Sequence, residues 1–578
     1  MATEQNAARA TGTQDPAASR PWLASYPADV PAEIDLASVG TLVDMFHESV
    51  SRYPERPALE SFGVRLTYGE FAARAGAVTS WLQAQGIGRG DRVAIMLPNV
   101  MAYAPILFGT LMAGATVVNV NPLYTPRELT FQLKDSGARV LFVLENFGQT
   151  VQASWPELAL HRVVIVKPGD LLGLKGHVVN LVSRYLKKAV PDYRLEGAVR
   201  FSDVIREGLS RPPAAVEVTP DDVAFLQYTG GTTGIAKGAT LTHRNVAANV
   251  VQCEVWMRAG GLGREPEIAI TALPLYHIFA LTACCMVMIR LGACLLLIAN
   301  PRDLKSFVAT LRSRPFTVMS GVNTLYNALT RHPEIRKVDF AKLHFCVSGG
   351  MATQAAVAKA WRELTGHPIV EGYGLSETSP VVTVNRLDIQ EFTGTIGFPM
   401  PSTEVSIRNK AGEAVPLGEP GELCVRGPQV MAGYWQRPDE TAEVMTPDGF
   451  FRTGDVAVLQ PDGALKIVDR MKDMILVSGF NVYPNEVEDV IAAHPGVTEV
   501  AVIGWPDDKS GEVVAAYVVK ADPNLTEAEV REWCRERLTG YKIPRRIEFR
   551  ETLPKTNVGK VLRRVLKDEI EQAERAAS

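Results

Sequence analysis

A chain of 578 residues is too long for one hydrophobic core and is expected to divide into several domains. An apolar share of 46%, a charged share of 21% and a formal net charge of −4 fit a soluble globular protein and argue against a general nucleic-acid binder, which needs a basic stripe. Seven cysteines at 253, 284, 285, 294, 346, 424 and 534 form no C-x-x-C pair, which argues against a zinc or disulfide framework and for a reducing cytosol.

The first twenty residues hold no apolar run of the signal-peptide kind, and Glu4 and Asp15 count against an organellar transit peptide. Residues 1–30 are expected to form a disordered tail. From about Leu42 to Arg314 helical patterns alternate with short apolar runs. "RVAIML" (92–97), "ARVLFVL" (138–144) and "RVVIVK" (162–167) read as buried strands, and "LTYGEFAARAGAVTSWLQAQG" (66–86) as a helix closed by glycine. This alternation predicts layered α/β architecture with largely parallel sheets.

At 170–190, Val178, Leu181, Val182, Tyr185 and Leu186 recur at helical spacing beside Lys175, Arg184, Lys187 and Lys188. That pattern suits either a helix docked on an anionic membrane or a helix packed on its own domain. Ile278–Ala299 imitates a membrane span. Arg290, at its middle, would cost about 2.5–3.5 kcal/mol there, and Gly292 interrupts the run, so a buried helix followed by a core strand is expected. "FTVMSGV" (316–322) and "LHFCVSGG" (343–350) read as further buried strands. Their carboxyl ends are candidate ligand sites. After Pro401 short alternating strands and glycine-rich turns indicate a small β-rich unit, followed past Asp469–Lys472 by an α+β pattern.

The stretch "YTGGTTGIAKGATLTH" (228–243) resembles a phosphate loop but not a Walker A loop. Ala236 precedes Lys237, and Gly238 follows it without the hydroxyl that would meet magnesium. An ATP-hydrolysing motor is excluded on that spacing. Thr229, Thr232 and Thr233 supply hydroxyls, while Gly230, Gly231 and Gly234 let backbone N–H groups turn toward an anion.

Together with "LPLYHIFA" (273–280), "EGYGLSETSP" (371–380), "GELCVRGP" (421–428), "FFRTGDVAVLQPDGALKIVDRMKD" (450–473) and "LPKTNVGK" (553–560), this loop resembles the ordered motifs of the acyl-adenylate-forming superfamily. The resemblance covers about residues 40–570 and looks nearest to bacterial long-chain fatty acyl-CoA synthetases. It implies a large α/β N-terminal domain of layered subdomains with a small β-rich unit (31–469), a hinge (470–472) and a mobile α+β C-terminal domain (473–578). It also implies ATP, Mg²⁺ and coenzyme A, with a medium- or long-chain fatty acid as substrate. An aromatic or short acid, or a carrier-protein acceptor, is the nearest alternative, and a binding protein without turnover a distant one.

By that resemblance the loop and Lys237 hold the β- and γ-phosphates. Ser348, Gly349 and Gly350 approach adenine, and Glu371, Gly372, Tyr373, Gly374 and Ser376 belong to the nucleotide site, with Tyr373 stacking on the base. Glu377 binds Mg²⁺, Asp455 the ribose hydroxyls, and Arg470 the ribose and phosphate. Lys560 is the catalytic lysine and Lys472 the hinge, while Ser478 and Gly479 border the coenzyme A tunnel. His277 gates and Phe279 lines the acyl pocket, although a core histidine is a real alternative. The family's usual proline before the loop lysine is Ala236 here, and Ser376 stands where many relatives have threonine. Leu476 and Asn481 replace the lysine and glutamine found in some relatives. The expected location is the cytoplasm, with peripheral contact to the inner face of the membrane through 170–190.

Overall fold

The computed structural model describes residues 20–229, 236–507, 509–556 and 559–577. Sheets of eight and nine strands build most of the large domain. In the first, Arg92–Met96, Thr116–Asn119, Val140–Leu144, Arg162–Val166 and Val223–Thr229 run parallel. In the second, Ile268–Thr271, Cys294–Leu297, Val318–Gly321, Phe345–Ser348 and Val370–Gly374 do the same. Helices cover both faces of such sheets, so the strands read as unbroken apolar runs. Val140–Leu144, buried at every position, is an example.

Local signals set the helices. Tyr68–Ala84 starts at a reciprocal cap, Thr67 accepting from the Glu70 N–H at 3.1 Å and Glu70 from the Thr67 N–H at 3.0 Å. The span-like stretch resolves into a buried helix, Ala280–Met286 with Val287–Arg290, leading to the strand Cys294–Leu297. Arg290 pairs with Glu254 and Glu48, so its charge is held within the domain. Among the described residues no helix is long and apolar enough to cross a membrane.

The expected tail is too long. Pro21–Ser25 forms a 3-10 turn whose Trp22 is only 2% exposed, and Tyr26 packs edge-on against Trp256 with centroids 5.2 Å apart. Burying two aromatic rings outweighs the polar composition around them, so residues 20–30 belong to the large domain. Residues 1–19 lie outside the described residues.

Glu404–Arg408, Pro420–Arg426, Phe451–Leu459 and Leu465–Arg470 make a four-stranded antiparallel sheet. A separate sheet begins at Ile475, with its own core around Val482, Val502, Val514 and Val530. Residues 471–474 join the two.

Candidate active site

The carboxyl ends of the parallel strands open on one cavity of about 670 Å³. Tyr228 and Thr229 reach it from the end of Val223–Thr229, and Lys237 from the antiparallel return strand Lys237–Thr242. Gly230, Gly231, Thr232, Thr233 and Gly234 lie outside the described residues. The chain comes back as a strand, and its helix opens only at His243, capped by Thr242 and Asn245. The β-branched "ATLTH" thus builds a hairpin rather than the strand-to-helix turn of a Walker loop. Lys237 pairs with Glu440, and its ammonium lies 5.3 Å from the Tyr434 ring centroid.

From the other sheet come Gly349, Gly350, Gly372, Tyr373, Gly374, Ser376 and Glu377. The small β-unit supplies Asp455 and Arg470, which face each other across antiparallel strands. Asp455, 5% exposed, accepts from the Tyr373 hydroxyl at 2.6 Å and lies 3.3 Å from the Arg470 Nε. Such a fixed carboxylate suits vicinal hydroxyls. Glu377 is also buried and accepts from the Tyr434 hydroxyl at 2.9 Å; desolvation raises its pKa. The described residues contain no cluster of three or more His, Cys, Asp or Glu placed for a metal. A buried carboxylate that lines an open cavity, as Glu377 does, fits Mg²⁺, which commonly takes its other ligands from water and phosphate.

Lys560 enters this cavity from the C-terminal domain. Its backbone is tied to Thr556: the Thr556 N–H donates to the Lys560 carbonyl at 2.7 Å, and the Lys560 N–H to the Thr556 Oγ1 at 3.1 Å. Burial, helped by the Arg470 charge and opposed by Asp455, pulls the Lys560 ammonium down to about 7. Burial, and then Lys560, lowers His277 to about 4, so its imidazole is neutral at physiological pH. His277 Nδ1 accepts from the Phe279 N–H at 3.4 Å, which leaves Nε2 as the N–H donor. Apolar lining of the same cavity comes from Cys253, Trp256, Met257, Phe279 and Ala283. The first three lie along one face of the helix His243–Ala259.

Among the described residues, four expected site residues do not line the cavity. Ser348 is buried and accepts from the Thr353 hydroxyl at 2.8 Å; Glu371 accepts from the Thr353 N–H at 3.0 Å, and burial pushes it up to about 7. Both brace the loop behind Gly349 and Gly350. Ser478 and Gly479 sit exposed in the turn between Ile475–Val477 and Phe480–Val482, because Lys560 rather than this hairpin faces the cavity. Lys472 lines the rim. Tyr434, Glu440 and the Trp256 face were not anticipated. They carry no motif, and only the fold brings them to the site.

A two-domain α/β protein that frames one cavity with two buried carboxylates, a lysine on a strand of the large domain and a second lysine from its small domain has the form of a nucleotide-dependent ligase. Residues 46–435 match the AMP-binding enzyme family and residues 486–560 the AMP-binding enzyme C-terminal domain, and the chain belongs to this family. It is 52% identical over 551 residues to a long-chain-fatty-acid–CoA ligase of Escherichia coli O6:H1, covering 95% of this chain and 98% of that one. Among solved structures it resembles the anthranilate CoA ligase AuaEII in complex with anthranoyl-AMP, with a TM-score of 0.82, 26% identity and coverage of 95% and 100%. ATP-bound MatB from Rhodopseudomonas palustris gives a TM-score of 0.78 and apo MatB 0.69, both at 28% identity over 91% of this chain and 98% of that one.

Proposed function

We propose that the chain joins a medium- or long-chain fatty acid to AMP, using ATP, and then transfers the acyl group to coenzyme A. The observation that carries this reading is one cavity lined both by the charged groups Asp455, Arg470, Glu377 and Lys560 and by apolar side chains that include Trp256 and Met257. The full-length similarity to long-chain-fatty-acid–CoA ligases supports the fatty acid and the thiol acceptor.

The chemistry explains the residue types. A carboxylate is a poor electrophile, and its oxygen must first be made a leaving group. In the first step a carboxylate oxygen bonds to the α-phosphorus of ATP, and the bond to the β-phosphate oxygen breaks, releasing pyrophosphate. Two anions must approach, and Lys560 and Arg470 offset their repulsion with charge already in position. Asp455, held by Tyr373 and Arg470, orients the ribose. Neutral His277 donates from Nε2 into the cavity beside the apolar lining that receives the acyl chain, and Lys237 with its loop receives the β- and γ-phosphates. Glu377 would hold Mg²⁺, which when bound withdraws charge from phosphate oxygens.

In the second step the coenzyme A thiolate attacks the acyl carbon and the bond to the AMP oxygen breaks. Lys560 would obstruct that approach. Rotation about Lys472 would withdraw it and carry the Ser478–Gly479 turn inward. The better match to ATP-bound than to apo MatB supports an adenylation-type arrangement here. Fatty acids partition into bilayers, so we place the protein in the cytoplasm with peripheral contact to the inner membrane face.

The test is AMP and pyrophosphate release against acids of increasing length, with and without coenzyme A. Long-chain acids should give sustained turnover only with the thiol. Preference for aromatic or short acids would overturn the substrate, and thiol-independent sustained turnover the acceptor.

A further inference from the structure

We propose that the helix Gly173–Leu181, its π-helical extension Val182–Leu186 and the hairpin tip Phe62–Gly63 form one docking face for a bilayer of anionic phospholipid. The proposal rests on the peripheral membrane reading above and names its surface and lipid class.

Of the thirteen large hydrophobic residues exposed among the described residues, five lie on this one segment: Leu174, Val178, Leu181, Tyr185 and Leu186, between 56% and 88% exposed. A surface helix ordinarily turns its apolar stripe inward. This one also turns an apolar row outward, and its inner side is held by Val179, packed on the core, by the buried Gly176 and by polar bonds. Asn180 Oδ1 accepts from the Gly169 N–H at 2.8 Å, and Arg184 pairs at 2.9 Å with the buried Glu145. The Asn146 side-chain amide donates to the Ala189 carbonyl at 2.9 Å. The outward apolar row is therefore fixed in place.

A second element adjoins it. Strands Pro57–Ser61 and Val64–Thr67 meet at a two-residue turn, Phe62 with φ of 50° and Gly63 with φ of 73°. That left-handed geometry favours Asn or Gly at its first position, yet a phenylalanine stands there, 56% exposed. Neither the backbone nor burial explains its ring. The turn lies against the helix start, since a Cβ on Gly63 would stand 3.6 Å from Lys175 Nζ.

Charge selects the occupant. Residues 171–190 carry no Asp or Glu, and besides the Arg184 paired with Glu145 they carry Lys175, Lys187 and Lys188, in a chain of net charge −4. A second copy would set two such positive faces against each other. An anionic bilayer offers both an apolar interior and an opposite charge, and the helix can lie in its interface.

The experiment is flotation of the full chain with phosphatidylglycerol–phosphatidylethanolamine vesicles and with phosphatidylcholine vesicles. Wild type should float with the first and much less with the second. Leu181→Ser/Leu186→Ser and Lys187→Glu/Lys188→Glu should each lower the bound fraction by roughly tenfold. Phe62→Asn should also lower it while leaving Tm unchanged or higher, which separates docking from folding. Octanoate turnover in vesicle-free buffer should be unchanged in all three variants. Unaltered flotation of the variants, or none by wild type, would overturn the face. Concentration-dependent dimerisation lost in the same variants, without vesicle binding, would assign it to a second copy. Failure of wild type to activate any fatty acid would sink the catalytic reading and leave the docking result standing.

Discussion

Gly559 backs so closely onto Thr324 that a Cβ built on it would stand 2.3 Å from the threonine Oγ1. Thr324 belongs to the large-domain helix Asn323–Thr330, and Gly559 directly precedes Lys560. The close approach and a φ of 84° leave room for glycine alone. Gly559→Ala should therefore push Lys560 away from the cavity. We expect acyl-AMP formation to fall by about tenfold or more, while thioester formation from supplied acyl-AMP stays within about twofold. Single-turnover pyrophosphate release and acyl-AMP consumption measure the two. Equal losses would mean that the glycine serves folding rather than the placement of Lys560.

Lys560 itself gives a pH signature. Its folded value of about 7 lies well below that of an unfolded lysine, about 10.4. Below pH 7 both states carry the proton; between these values only the unfolded chain does. The site thus loses its cation as pH rises through about 7, and this lysine's contribution to stability becomes more favourable across the same window. At subsaturating ATP, acyl-AMP formation should decline above pH 7, by at most about tenfold per unit. Bound ATP favours the charged form, so the decline should move upward at saturation. Lys560→Ala should lower the rate by roughly 10² or more and abolish this pH limb. A wild-type limb that persists in the variant would assign it to another group.

Asp455 and Tyr373 permit a graded comparison. Asp455→Asn removes the charge expected on the ribose hydroxyls and should weaken ATP binding by about 10–100-fold, the range for a charged hydrogen bond. Tyr373→Phe removes only the 2.6 Å bond that holds the carboxylate and should raise the KM for ATP several-fold with little change in kcat. Calorimetric titration with ATP and steady-state kinetics read these effects. A larger loss from Tyr373→Phe than from Asp455→Asn would reverse the proposed roles.

Much of this site was legible because its chemistry is local in sequence. Tyr373 to Glu377 occupy one strand end and turn, and the motif that brings Asp455 also brings Arg470 across a hairpin. Buried parallel strands were equally plain, since both faces are covered and their residues form unbroken apolar runs. What depends on distant packing was not legible. Trp22 looked like part of a polar tail, and Ser348 and Glu371 looked like ligand contacts, although each turns to Thr353. Tyr434 reaches Glu377 from 57 residues away, a pairing no spacing announces. At 170–190 the helical spacing was readable, but not which side would face the domain.

Glu377 should control the metal requirement. Its burial leaves the Tyr434 hydroxyl as its side-chain hydrogen-bond donor, so a bound cation would relieve a carboxylate that desolvation disfavours. Glu377→Gln preserves size and removes the charge. The Mg²⁺ concentration for half-maximal acyl-AMP formation should rise by about tenfold or more, with acyl-AMP consumption by coenzyme A little changed. An unchanged Mg²⁺ profile would move the metal elsewhere.

The linker decides whether the small domain must turn. Arg470 ends the last strand of the β-unit and Ile475 opens the C-terminal sheet, with Lys472 exposed between them. The two sides are pinned to each other in this arrangement: buried Asp469 accepts from the Asn485 N–H at 2.8 Å and lies 3.6 Å from Arg563 Nη1. Lys560 and the Ser478–Gly479 turn belong to the same small domain, and only Lys560 lines the cavity. If thioester formation needs the opposite presentation, freezing φ at position 472 should harm the second step more than the first. Lys472→Pro is expected to slow thioester formation by about tenfold or more, while acyl-AMP formation stays within about threefold. Rapid-quench measurement of each half-reaction provides the comparison. Greater damage to adenylation would place the pivot elsewhere, and equal damage would indicate a linker needed for folding rather than rotation.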